Sequence, residues 1–296
     1  MDFPGKFSDY ILPDKIHVLN VCFNVNGMVE KFGGTAGNIA YSLSLLNEKP
    51  FILATIGKDY QNYFEWLKVN NIQTDGIKII PEEFTAGAYI TTDRADNQIT
   101  GFNPGAMKYP SEYKFDNTDS DNGIVLLAPG NIEDMTGYAD QCRNKGIRYI
   151  CDPGQSLSKW DSGALLEWLD GAMMLISNDY ELEMIMRLTG LKKHRLLELT
   201  KTVITTLGEK GSLISTSEYV VEIPAIKVSE IIDPTGAGDA YRAGLMKGLI
   251  LDKDIQTAAK MGTVAAVFAI EKYGTQEHRY TFEEFLIRYK SNFGEL

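Results

Sequence analysis

The chain has 296 residues, 44% hydrophobic and 23% charged, the make-up of a globular protein long enough to bury a substantial core. A net charge of −11 with no basic cluster repels nucleic-acid phosphates, so no nucleic-acid partner is expected, while a metal–nucleotide complex in a local site stays compatible. Three cysteines without a C-x-x-C pair, no apolar run near the ~18 residues of a membrane span, and a start (MDFPGKFSDY) without signal-peptide character point to a reducing cytoplasm and no membrane partner.

In chain order, Val18–Val25 (VLNVCFNV) reads as a strand, Gly37–Leu46 as a helix, Phe51–Ile56 (FILATI) as a buried strand and Tyr60–Asn70 as a helix. Thr85–Thr91 (TAGAYIT) and Asn97–Phe102 (NQITGF) flank the polar stretch Asp93–Asp96 and read as a β-hairpin. With Val18–Val25 the hairpin is expected to form a small β-lid, over 11–32 and 85–103, projecting from the main sheet. Strand-like runs at Gly123–Leu127, Ile147–Cys151, Ala172–Ile176 and Thr202–Thr206 then alternate with helical spacing at Ile132–Asn144 and Asp179–Leu188. Val228–Ile232 reads as a further strand-like segment. The last third ends in two helices, with Ile255, Ala258, Gly262, Ala265 and Ala269 recurring at helical period. The alternation implies an α/β fold, a mostly parallel central sheet flanked by helices. With no internal repeat and no linker, it predicts one domain over 1–296.

The stretch Asp233–Gly244, DPTGAGDAYRAG, follows Val228–Ile232 and opens a helix. Gly236, Ala237 and Gly238 carry little or no side chain, so their N–H groups can approach an anion at the positive end of the helix dipole. Asp239 stands beside them, where a carboxylate can accept a hydroxyl proton while the amides hold a phosphoryl group. The plainer alternative is a glycine turn with Asp239 as a cap. A candidate base inside the loop favours the chemical reading, and the absence of a G-x-x-x-x-G-K-[ST] element excludes an ordinary P-loop. Upstream, Gly33-Gly34-Thr35-Ala36-Gly37-Asn38-Ile39-Ala40 is a glycine-rich helix start. It lets backbone approach a ligand and offers the Asn38 amide as both donor and acceptor to hydroxyls.

DPTGAGDAYRAG resembles the C-terminal signature of the ribokinase-like (PfkB) carbohydrate kinases, and Gly33–Ala40, with Gly57 after it, resembles their N-terminal one. Asn47 departs from the Gly or Ser of that pattern and is read as a helix C-cap. The resemblance implies an ATP-dependent kinase with Asp239 as base, Gly236, Ala237 and Gly238 as anion hole, and Gly34 and Asn38 on the acceptor's hydroxyls. It implies ATP contacts at Asn178, Thr206, Gly208, Gly211 and Gly274. Mg²⁺ would be ordered through water by Glu181, and a candidate K⁺ site lies near Asp233, Thr235 and Gly274. Asn178-Asp179-Tyr180-Glu181 reads equally as a capping box. Asp152-Pro153-Gly154 lines the site or simply turns. The stretch Asn97–Met107 is similar to the adenosine-kinase-like branch, with Phe102 placed to stack on a base.

The expected reaction moves the ATP γ-phosphate to a nucleoside hydroxyl, adenosine first, with a ribokinase- or fructokinase-type sugar kinase as the alternative. A non-catalytic nucleoside-binding relative is the alternative of another class. With an unperturbed pKa of roughly 3.9, Asp239 is expected to be ionised and to take the proton late. Lid closure is expected to exclude water, and exposed lid edges to pair two copies of the chain. The family opens with a strand that ends in Gly and leads to a substrate-gripping Asp. MDFPGKF begins after that point, so this strand is expected to lie before residue 1.

Overall fold

The computed structural model describes residues 1–95, 97–116 and 123–296. In order the elements are α1 (Thr35–Leu45), β1 (Ala54–Gly57), α2 (Gln61–Val69), β2 (Ile77–Ile80), β3 (Gly87–Thr92), β4 (Gln98–Asn103), β5 (Ile124–Leu127), α3 (Ile132–Lys145), β6 (Arg148–Cys151) and α4 (Ser162–Leu169). There follow β7 (Met174–Asn178), α5 (Asp179–Thr189), α6 (Lys193–Leu199), β8 (Val203–Thr206), β9 (Ser212–Ser215), β10 (Val220–Ile223), α7 (Ala237–Ile250), α8 (Ile255–Ile270) and α9 (Phe282–Phe293).

The central sheet has six strands in the order β10-β9-β8-β7-β6-β5. From β5 to β8 neighbours run parallel; β9 and β10 are added antiparallel. Both faces are covered, which is why its strands read as unbroken apolar runs. Tyr149, Cys151, Leu175 and Val203 point into one core with residues of α3 to α6. Ile150, Met174, Ile176 and Ile204 point to the other, filled by α1, α7 and α8. β1 and β2 form a separate parallel pair, and β3 and β4 an antiparallel one.

α7 and α8 lie almost in backbone contact because both carry glycine at the crossing. A Cβ on Gly244 would stand 2.4 Å from the Met261 carbonyl oxygen, and one on Gly248 2.5 Å from Ala258 Cα. The small-residue period read over Ile255–Ala269 is this contact. It is completed by Ala258, Ala265 and Ala269, all buried.

Two expected strands are absent. Val18–Val25 is irregular: Val18, Leu19 and Val25 are exposed, while Phe23 turns its ring onto Phe3 and Phe7, with centroids 4.9 Å apart in each case. The hairpin instead pairs with the start of the chain. Thr92 N donates to Met1 O (2.9 Å), Phe3 N to Thr92 O (2.8 Å) and Arg94 N to Gly5 O (2.9 Å). Asp93 anchors that arrangement by accepting from the backbone N–H of Phe7, Ala95 and Asn97. In the expected turn, Asp96 lies outside the described residues. Val228–Ile232 is the second correction. Its end is tied to α8 rather than to a sheet, Ile232 N and Asp233 N both donating to Ile270 O (2.8 and 3.2 Å).

Among the described residues no helix is long and apolar enough to cross a membrane.

Candidate active site

β6, β7 and β8 run parallel; β7 and β8 end side by side at Asn178 and Thr206, while β6 ends at Cys151, opposite Leu175. In such sheets the carboxyl ends of the strands are where ligands bind. Asp152 follows β6 directly, and Asn178 and Thr206 are register partners across β7 and β8.

α7 brings in the glycine loop. Gly236 is its N-cap with φ +82°, a left-handed conformation that favours glycine, and a Cβ there would press on Thr275 Cγ2 at 3.0 Å. Asp239 stands in the first turn. α1 starts in the same way, with Gly34 at φ +88° and open space where a Cβ would be. The two first turns meet through a side-chain bond, Asn38 Nδ2 donating to Asp239 Oδ2 at 2.7 Å. Asn38 is buried, and its other end, Oδ1, accepts from Gln276 Nε2 at 3.0 Å. Thus Gly34 and Asn38, read from the sequence as acceptor-binding, are brought to Asp239, and the Asn38 amide is engaged at both ends.

Burial pushes the Asp239 carboxyl up to about 6; the Asn38 bond and the Arg242 charge pull it down, while Asp152 pushes it up. The ordinary value assumed from the sequence therefore understates its strength as a base. Arg242, one turn along α7, is itself almost fully buried and paired with buried Asp152. Its Nη2 donates to Oδ1 at 2.9 Å, and its Nε faces Oδ2. Glu181 adds to the negative field around that guanidinium. A Cβ on Gly238 would stand 2.8 Å from Arg242 Nη1, so the glycine also makes room for the cation behind the loop. Arg242 went unassigned from the sequence. The signal was its place between Ala240, Tyr241, Ala243 and Gly244, all buried, since a charge inside a buried run needs a partner.

Asn178 and Glu181 form the full capping box of α5. Glu181 N donates to Asn178 Oδ1 (2.7 Å) and Asn178 N to Glu181 Oε2 (2.9 Å). Burial raises the Glu181 carboxyl above its usual range. Thr206 leads into Gly208, at φ +58° with open space around it, and Gly211, whose φ of +91° and a Cβ distance of 2.0 Å to Ile223 O allow no side chain. Asp233 orders its own loop. Thr235 N donates to Oδ1 (2.9 Å) and Gly274 N, from the segment after α8, to Oδ2 (3.0 Å). Among the described residues no group of three or more His, Cys, Asp or Glu side chains could hold a metal ion. Phe102 stands apart from this cluster, exposed on β4 opposite Ala88.

Comparison with known proteins identifies the family. The pfkB family carbohydrate kinase pattern matches residues 8–281. The nucleoside kinase of Methanocaldococcus jannaschii is 32% identical over 283 residues, 95% of this chain and 93% of the relative. That of Methanothermobacter thermautotrophicus is 30% identical over 294 residues, 97% and 94% of the two chains. Among solved structures, Burkholderia thailandensis nucleoside kinase in complex with inosine superposes with a TM-score of 0.89 at 32% identity, covering 100% of this chain and 94% of that one. With the two signatures joined by the Asn38–Asp239 bond, and with these relatives spanning nearly its whole length, the chain belongs to the pfkB family of carbohydrate kinases and has the ribokinase-like fold of its nucleoside kinases.

Proposed function

We propose that the protein transfers the γ-phosphoryl group of ATP to the 5′-hydroxyl of a nucleoside, adenosine being the acceptor to test first, with Asp239 as the base. The observation that carries this reading is the meeting of the α1 and α7 first turns. It places a half-buried carboxylate of raised pKa at the rim of a glycine loop, with Asn38 beside it and helix N-termini on both sides. The nucleoside reading rests on the relatives, two of which are nucleoside kinases at 30% identity or more, while the Burkholderia neighbour holds inosine.

In this reading Gly236, Ala237 and Gly238 present N–H groups to the transferring phosphoryl. Asp239 takes the hydroxyl proton as the oxygen–phosphorus bond forms. Gly34 and Asn38 orient the acceptor, and Phe102 stacks on its base when the hairpin folds over. ATP lies along Asn178, Thr206, Gly208, Gly211 and Gly274. Mg²⁺ supplies charge neutralisation on the phosphates, and Glu181, with one oxygen committed to its capping box, fits a water-mediated contact better than direct ligation. K⁺ beside Asp233, Thr235 and Gly274 completes the proposal.

A panel of adenosine, inosine, cytidine, ribose and fructose, assayed by hydroxyl-dependent ADP release, tests it. Turnover with adenosine is expected. Turnover with ribose or fructose alone would replace the nucleoside reading by a sugar-kinase one.

A further inference from the structure

Asn38 is symmetric in shape but not in chemistry. One end of its amide donates, and the other only accepts. Asp239 benefits from the donor; the carbonyl end would set an acceptor against a carboxylate in a buried site, which is costly. Both orientations fit the same space, so something must choose between them.

The choice is made behind Asn38 by Gln276, from the segment after α8. Gln276 is buried, 2% exposed, and all its amide atoms are engaged. Trp66 Nε1, on α2, donates to Gln276 Oε1 at 2.8 Å. An indole N–H can only donate, so it pins the carbonyl end of Gln276. The Gln276 NH₂ group then faces the other way, donating to Asn38 Oδ1 at 3.0 Å and to the Tyr63 hydroxyl at 3.0 Å. The Tyr63 hydroxyl donates to the Gly33 carbonyl at 3.1 Å, a group that only accepts, so its oxygen is free to receive from Gln276. The network thus has a one-way donor at one end and a one-way acceptor at the other. Every amide between them has a single self-consistent orientation, and it ends with Asn38 Nδ2 on Asp239 Oδ2.

We propose that Gln276, pinned by Trp66, is a positioning residue of this kinase: it fixes the Asn38 amide so that the base at 239 always meets a donor. The proposal rests on Asp239 being the base. The charged and titratable groups around Asp239 are Arg242 on its own helix, Asp152 after β6, and Glu181 of α5 acting on Arg242. Tyr63 stays protonated, since burial raises it above the usual phenol value. Gln276 and Trp66 carry no charge and make no hydrogen bond to Asp239, so their link to its carboxylate is the Asn38 amide.

The test is the pH profile of kcat/KM for ATP-dependent phosphorylation, with Asp239→Asn as the baseline in the same assay. The Asn38 bond favours the ionised base, so losing its orientation moves the acid limb to higher pH. Gln276→Met keeps the volume and removes both hydrogen-bonding ends. It is expected to shift the acid limb up by about one pH unit and lower kcat/KM on that limb about tenfold. Trp66→Phe, which leaves Gln276 itself in place, is expected to shift it the same way by less, and it serves if the first variant does not fold. In an Asn38→Ala background Gln276→Met should add no further shift. A lower melting temperature with an unmoved acid limb, or a shift that adds fully to that of Asn38→Ala, overturns the relay. Near-normal turnover by Asp239→Asn overturns the base assignment instead, so the two failures are distinguishable.

Discussion

Asp239 answers to two demands that pull against each other. The proposed catalysis needs a carboxylate next to a phosphoryl cradle, whereas folding resists burying one. The balance lies at about 6, against an ordinary 3.8. A folded-state pKa raised above the unfolded one contributes stability that is present below about pH 4 and is lost as the pH climbs through about 6. Asn in its place, uncharged throughout, escapes that loss. Asp239→Asn is therefore expected to melt like the parent at pH 4 and at higher temperature at pH 8, by the equivalent of on the order of 2 kcal/mol, while kcat falls by about 10²–10⁴ and ATP still binds. Thermal melts at the two pH values and steady-state kinetics check the pair of effects. At this scale the sequence singled out Asp239, its glycine loop, Gly34 and Asn38, at two helix starts that the structure joins through the Asn38–Asp239 bond, because spacing along one helix start is a local property. It did not show Arg242, Asp152 as its partner, or Gln276. Their roles arise from contacts between residues such as 38 and 276, or 152 and 242, which are far apart in the chain.

The elements were legible wherever burial on both faces writes an unbroken apolar run, as in β5 to β8, and wherever caps mark a helix, as Asn178 and Glu181 mark α5. Val18–Val25 and Val228–Ile232 are also rich in Val, Leu and Ile, though interrupted by Asn20, Asn24, Ser229 and Glu230, and they have no partner strand. What the first does is pack an aromatic onto Phe3 and Phe7, and the second is held by the end of α8. Composition cannot distinguish these cases. The α7–α8 crossing gives a prediction at this scale. In an exposed helix Gly→Ala stabilises by about 1 kcal/mol. At Gly248 the new methyl would stand 2.5 Å from Ala258 Cα, and the overpacking, typically about 1–3 kcal/mol, should win. Gly248→Ala is expected to lower the denaturation midpoint in urea; an unchanged or higher midpoint would contradict the contact. Gly137, in α3 with nothing within 4 Å of its Cβ position, is the control expected to go the other way.

Across the whole molecule, the β3–β4 hairpin stands out because neither face is covered. Register puts Phe102 and Ile90 on one face and Tyr89 and Ile99 on the other, all exposed. A two-stranded sheet so bare is marginal by itself. The proposed function gives the Phe102 face to the acceptor; we propose in addition that two copies of the chain pair through the exposed hairpin, with Tyr89 and Ile99 at the contact. Sedimentation velocity should then find a dimer that Tyr89→Asp with Ile99→Asp converts to monomer, and a wild-type monomer at micromolar concentration would end that part of the proposal.

The glycine-locked pair of α7 and α8 has a consequence for how such an enzyme can change. In the proposed function the loop that handles phosphate opens α7, the helix whose Gly244 and Gly248 leave no room for a side chain against α8. The hairpin, by contrast, is attached by little more than one carboxylate turn and a few backbone bonds to the first residues. If the hairpin meets the acceptor as proposed, substitutions there can change acceptor preference at small risk to folding and without touching the α7 loop.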